Sequence, residues 1–189
     1  MKLNAHYNLR ALAGTHAFLS PSKPAWLNYD EDHLNRVFHA TQAAARGTRL
    51  HDLARQCIEL GVRLPDSPTT LNQYVNDAIG FKMYTEWLLY YSENCYGHCD
   101  AIVLRNGVLR IHDLKTGVTE SDMRQLLIYA ALFCLEYQTH PKSIKIELRI
   151  YQNDQVKVLE PEVGDIIQIM EKIKFFDKHV SDLRSEVQS

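Results

Sequence analysis

Between residues 33 and 60 apolar side chains recur at steps of three and four, with Leu50, Leu53, Ala54, Cys57 and Ile58 on one face. This spacing predicts a long helix, closed by Gly61 as its C-terminal cap. Upstream, Pro21 and Pro24 among small polar residues predict turns followed by a short helix start. Past Pro65 and Pro68, residues 69–78 predict a second, short helix. The period then shortens. Residues 81–91, 96–104 and 108–115 are aromatic and β-branched runs, separated by Ser92-Glu93-Asn94 and Arg105-Asn106-Gly107. Asn-Gly between such runs signals a tight hairpin, so a three-stranded antiparallel meander is predicted.

Thr119, followed by Glu120 and Asp122, reads as the N-cap of an unusually apolar helix running to about residue 136. Residues 144–151 and 155–159 predict two further strands around Asn153-Asp154. Pro161 opens a final amphipathic helix ending near 183. No repeat, low-complexity tract or linker interrupts this order. The reading is a single domain over 1–189, with a helical part at about 1–80, a core at about 81–160 and a C-terminal helix at about 161–183.

Composition narrows the class. With 189 residues, 46% hydrophobic and 23% charged, the chain matches a soluble globular protein able to bury its own core. No apolar run reaches the roughly 18 residues of a membrane span, and no signal-peptide core opens the chain, so a cytoplasmic setting without membrane contact is expected. The four cysteines are then expected as thiols. A net charge of −2 excludes a global basic field, and any polyanion binding must be local.

The candidate chemistry centres on Asp113-Leu114-Lys115, at the end of an apolar strand and thirteen residues after Asp100. Strand alternation puts Asp113 and Lys115 on one side and Leu114 on the other. A carboxylate beside an ammonium is what hydrolysis of a metal-bound phosphodiester needs: oxygen ligands for a hard cation and a group to hold the attacking water. Gln125 and Tyr129, at i and i+4, share a helix face. His98 shares parity with Asp100, whereas His112 has the opposite parity to Asp113 and should face away.

Four motifs occur in order: Arg46-Gly47-Thr48-Arg49-Leu50-His51, Gly97-His98-Cys99-Asp100, Asp113-Leu114-Lys115-Thr116-Gly117 and Gln125-Leu126-Leu127-Ile128-Tyr129. Together they make the stretch from residue 33 to 135 resemble the PD-(D/E)xK nuclease superfamily. The similar branch includes the RecB and AddB nuclease domains, the CRISPR adaptation nucleases and phage recombination exonucleases. The resemblance implies an α/β (α+β) fold with a restriction-endonuclease-like core, a mixed central sheet of about five strands flanked by helices.

It further implies that His51, Asp100, Asp113 and the backbone C=O of Leu114 ligate one or two Mg2+ or Mn2+ ions, with Glu86 as an additional candidate ligand. Asp100, Asp113, Lys115, Gln125 and Tyr129 would carry catalysis. Arg46, Arg49, Arg124 and His98 are the candidates for contacting nucleic acid. Asp113 stands where the family more often has Glu. Some relatives hold an iron–sulfur cluster through C-terminal cysteines, but this chain has none after Cys134, so no cluster is expected.

The implied activity is hydrolysis of DNA by an exonuclease of recombination, repair or phage DNA processing, in a bacterial or phage-infected cell. Unwinding would fall to a recombination or helicase partner, since no Walker motif is present. A homo-oligomer, such as a ring around DNA, is compatible with the size. The alternatives are a site-specific endonuclease and a non-catalytic nucleic-acid-binding adaptor that retained the fold.

Overall fold

The computed structural model describes residues 15–188, in two compact units divided after Arg46. In the first, helix α1 (Glu31–Leu60) begins two residues before the predicted start because Asp30 caps it. The His33 N–H donates to Asp30 Oδ1 at 2.6 Å. The short helix start after Pro24 is a 3-10 turn, Pro24–Asn28, whose Trp26 indole donates to the Ser20 carbonyl at 3.0 Å. Phe18 meets Phe38 edge-on, with ring centroids 5.5 Å apart. Residues 1–14, part of the predicted helical region, lie outside the described residues.

The second unit starts at Gly47 and contains the C-terminal part of α1. Gly61, at φ +67°, ends that helix, with the Val62 N–H returning to the Cys57 carbonyl at 2.8 Å. Helix α2 (Thr70–Phe81) ends three residues later than the periodicity predicts, and it absorbs Phe81 from the expected first strand. Lys82 stops it in the left-handed conformation, where its N–H and that of Met83 cap the last carbonyls.

Five strands form one mixed sheet in sequence order: β1 (Tyr84–Ser92), β2 (Cys95–Arg105), β3 (Val108–Leu114), β4 (Lys145–Gln152) and β5 (Gln155–Leu159). Only β3 and β4 run parallel; the other neighbours are antiparallel hairpins. Asn106-Gly107 turns the β2–β3 hairpin and Asn153-Asp154 the β4–β5 hairpin, with all four residues at positive φ, as a right-twisted sheet requires.

The parallel pair needs a crossover, supplied by α3 (Arg124–Glu136), and α4 (Val163–Gln188) closes the described chain. Both helices begin later than predicted. Thr119 does not cap α3; the Asp122 carboxylate accepts from the Arg124 N–H at 2.9 Å, and no acid lies in the first turn. The residues between are held by Gln152, whose Nε2 donates to the Gly117 and Thr119 carbonyls at 2.6 and 2.7 Å while Oε1 accepts from the Ser121 N–H at 2.9 Å. These bonds take the backbone groups that a helical turn would need.

Helices α3 and α4 cover one face of the sheet around Leu109, Ile111, Leu126, Leu148, Ile150 and Ile166. The end of α1 and α2 cover the other around Ala54, Val75, Ala101, Leu114 and Tyr151. Strand alternation on β3 and β4 therefore feeds two cores, with the ion-paired Arg110, Glu147 and Arg149 interspersed among the apolar residues of the two strands. Among the described residues no helix is long and apolar enough to cross a membrane.

Candidate active site

One end of β3 collects most of the candidate residues. The last paired positions of β2 and β3 are Ala101 and His112, so Asp100 and Asp113 stand one step beyond, opposite one another. Leu114 points into the α1/α2 core, which leaves Asp113 and Lys115 together on the α3 side. The Lys115 ammonium lies 3.1 Å from Asp113 Oδ1 and 2.9 Å from Oδ2. Only the first contact has hydrogen-bond geometry, and buried Oδ2 accepts no hydrogen bond. Lys115 also donates to Gln125 Oε1 at 2.8 Å, and Gln125 Nε2 lies 3.2 Å from the Tyr129 hydroxyl. That hydroxyl donates to the His98 carbonyl at 2.5 Å. A continuous polar chain thus links β3, α3 and β2.

Two glycines permit this convergence. A Cβ on Gly47 would lie 2.6 Å from Thr116 Oγ1, so α1 approaches the loop after Lys115 only because residue 47 has no side chain. One turn later on that helix face, His51 Nδ1 reaches 3.4 Å from Asp100 Oδ2. A Cβ on Gly97 would meet the Tyr129 ring at 3.1 Å, so this glycine lets the aromatic approach β2 closely.

Electrostatics set the two acids apart from surface carboxylates. Burial, and then the neighbouring charge of Asp113, push Asp100 up to about 6, against the opposing effects of the Leu114 N–H at 2.9 Å and of His51. Burial raises Asp113 too, with Lys115 opposing it. Like charges in low dielectric hold protons that solvated acids release.

Among the described residues no three His, Cys, Asp or Glu side chains form a ready-made metal cage. The donors nevertheless fit a hard divalent cation. Asp113 offers a buried oxygen, Oδ2, that faces the Lys115 ammonium at 2.9 Å without hydrogen-bond geometry, and Asp100 offers a carboxylate strained by its like-charged neighbour. His51 adds an imidazole of the type that favours Mn2+ over Mg2+.

Glu86 is exposed within β1 rather than at its start, and its charge adds to the upward push on Asp100. Its φ of +48° is a left-handed conformation, which costs a non-glycine residue of order 1–3 kcal/mol. His98 is exposed and contributes its carbonyl to the network. Arg49 is exposed on α1, and Arg46 belongs to the first unit. Arg124 is ion-paired with Asp122 and lines a groove between α3 and α4, not the polar chain around Lys115.

His112 is fully buried on the opposite face, where the Tyr151 hydroxyl lies 3.2 Å from its Nδ1 and donates to Asp77 Oδ2 at 2.7 Å. Burial and two arginines hold its imidazole well below the usual range.

Sequence periodicity does not single out Tyr74, a buried phenol whose proton affinity is raised by burial and then by Asp100, Asp113 and Glu86. Nor does it single out Thr116 or Gln152, which act through residues distant in the chain.

No family model matches this chain, and no curated protein matches it either. Among solved structures, one described as the crystal structure of SSO0001 is similar over 57% of each chain, at 14% identity and a TM-score of 0.33.

Proposed function

We propose that the chain is a metal-dependent nuclease that hydrolyses DNA phosphodiester bonds, acting as an exonuclease in recombination, repair or phage DNA processing. The observation that carries this reading is the convergence of His51, Asp100, Asp113 and Lys115 at one sheet end, with Lys115 braced by Gln125 at 2.8 Å. Asp100, Asp113, His51 and the Leu114 carbonyl would hold one or two Mg2+ or Mn2+ ions. Such an ion, when bound, polarises the phosphoryl group and makes its water acidic enough to attack near neutral pH.

Lys115 supplies the positive charge that offsets negative charge developing on the phosphoryl oxygens. Gln125 and Tyr129 position that ammonium: the amide oxygen accepts from Nζ, and the hydroxyl ties the pair to the β2 backbone. The exonuclease assignment rests on the Gln-x-x-x-Tyr resemblance.

Purified protein incubated with end-labelled linear DNA and closed circular DNA, with Mn2+, tests the reading. Mononucleotides from linear DNA alone, lost with chelator and reduced at least about a hundredfold in Lys115→Ala, are expected. Discrete fragments from circles would favour a site-specific endonuclease. DNA binding without cleavage, unchanged in Lys115→Ala, would favour an adaptor.

A further inference from the structure

The β1–β2 hairpin outruns its pairing with the rest of the sheet. β2 pairs with β3 only from Ala101 onward, so residues 87–90 and 96–99 pair with each other alone and form a two-stranded arm. One face of the arm is packed: Leu89 and Cys99 belong to the core beneath α3, and Gly97 admits the Tyr129 ring. Alternation turns Leu88, Tyr90, Tyr96 and His98 to the opposite face.

Cross-strand pairing sets Leu88 against His98 and Tyr90 against Tyr96, and the two phenol rings lie 27° from parallel with centroids 6.2 Å apart. This face is open to solvent. Leu88, Tyr90 and Tyr96 are 44, 45 and 59% exposed, and His98 is exposed too. The other exposed aromatics of β1 have partners: Trp87 lies 5.2 Å from the Tyr84 ring, and its indole donates to the Tyr137 hydroxyl at 3.3 Å.

The open face runs into the candidate active site. Asp100 follows His98 by two positions and faces the same way, towards His51 of α1 at 3.4 Å. Tyr96 stands four positions from Asp100, about 13 Å along an extended strand. The charges of the arm choose the occupant. Between Lys82 and Arg105 the sequence has no lysine or arginine, and it carries Glu86 and Glu93. A duplex gripped by its phosphates needs such cations. Unpaired bases do not, because their faces stack on aromatic rings whatever the sequence, whereas the bases of a duplex are already stacked on one another.

We propose that this face of the arm is a stacking platform for the unpaired end of a DNA strand, with bases lying on Tyr96 and Tyr90 and the adjoining phosphodiester presented at Asp100. Leu88 and His98 carry the same surface from the ring pair to the carboxylate. The inference rests on the nuclease reading above and adds to it a preference for single-stranded over duplex DNA.

Fluorescence anisotropy of the full chain, in chelator so that nothing is cut, tests this with three labelled probes: a short oligothymidylate, a duplex of equal length, and an abasic strand with the same phosphates. The oligothymidylate should bind about tenfold or more tighter than either of the others. Tyr96→Leu keeps apolar bulk without a ring, and should weaken binding of the oligothymidylate by about tenfold. Tyr96→Phe keeps the ring and should bind like the parent. Because Tyr96 is exposed, the circular dichroism and thermal midpoint of both variants should match the parent. Equal affinity for the duplex or the abasic strand, or a Tyr96→Leu protein that binds like the parent, would overturn the platform. Cleavage with Mn2+, followed in parallel, keeps the two readings apart. Cleavage of linear DNA with single-strand binding indifferent to Tyr96→Leu would refute the platform and leave the nuclease standing; ring-dependent binding without any cleavage would support the platform and refute the nuclease.

Discussion

Replacing Asp100 by Asn should stabilise the metal-free protein at neutral and alkaline pH while abolishing cleavage. Asp100 is displaced from its ordinary 3.8 to about 6, chiefly by burial and then by Asp113. Below 3.8 the carboxyl is protonated in both folded and unfolded chains, and it carries no penalty. As pH rises from 3.8 to 6 the unfolded chain releases the proton and the folded chain keeps it, so stability falls; above 6 the full penalty is present. At about 1.4 kcal/mol for each tenfold change in proton affinity, that penalty is about 3 kcal/mol. Asn keeps the acceptor for the Leu114 N–H but carries no charge, so the variant escapes it. For a chain of this size the gain corresponds to about 6–12 °C in unfolding midpoint.

Thermal unfolding of parent and variant in chelator, from pH 4 to pH 8, checks this. The two should coincide near pH 4 and separate by pH 7, and Mn2+ should then raise the parent far more than the variant. Equal stability at pH 8, or a difference that ignores pH, would refute the electrostatic account of the site.

Three further outcomes are expected. Gly47→Ala places a methyl 2.6 Å from Thr116 Oγ1, so cleavage should drop at least about tenfold and recover when Thr116→Ala removes that oxygen; a double variant no better than the single would refute the close-approach role. Tyr129→Phe removes the bond to the His98 carbonyl and frees Gln125, so cleavage should fall by about tenfold with little loss of melting temperature, as steady-state rates and calorimetry would show. Tyr151→Phe strips a hydroxyl from Asp77 and buried His112, and urea unfolding should register a loss of about 1–3 kcal/mol.

The strands were legible because their signals are local. Asn106-Gly107 dictates its turn from two adjacent residues, and parity along β3 suffices to set Asp113 beside Lys115. Where distant residues intervene, legibility fails. Thr119 has the chemistry of an N-cap, but Gln152, more than thirty positions later, claims the surrounding backbone and moves the helix start to Arg124. The left-handed turn at Glu86 has no signature in a residue type that seldom adopts it. Gly47 and Gly97 are conspicuous as letters, but the reason for them is the partner each admits, Thr116 and Tyr129, and only the folded chain brings those partners near.

The parallel β3–β4 junction gives the sheet an uneven assembly order. Each hairpin can form from neighbouring residues, whereas joining β3 to β4 must await the crossover through α3. The Lys115 N–H is bonded to the Tyr151 carbonyl across this seam at 2.9 Å, and Gln125 lies on the crossover itself. A partly folded chain with all three hairpins intact would therefore still lack an aligned lysine, and the proposed hydrolytic competence would arrive only when the β3–β4 seam closes.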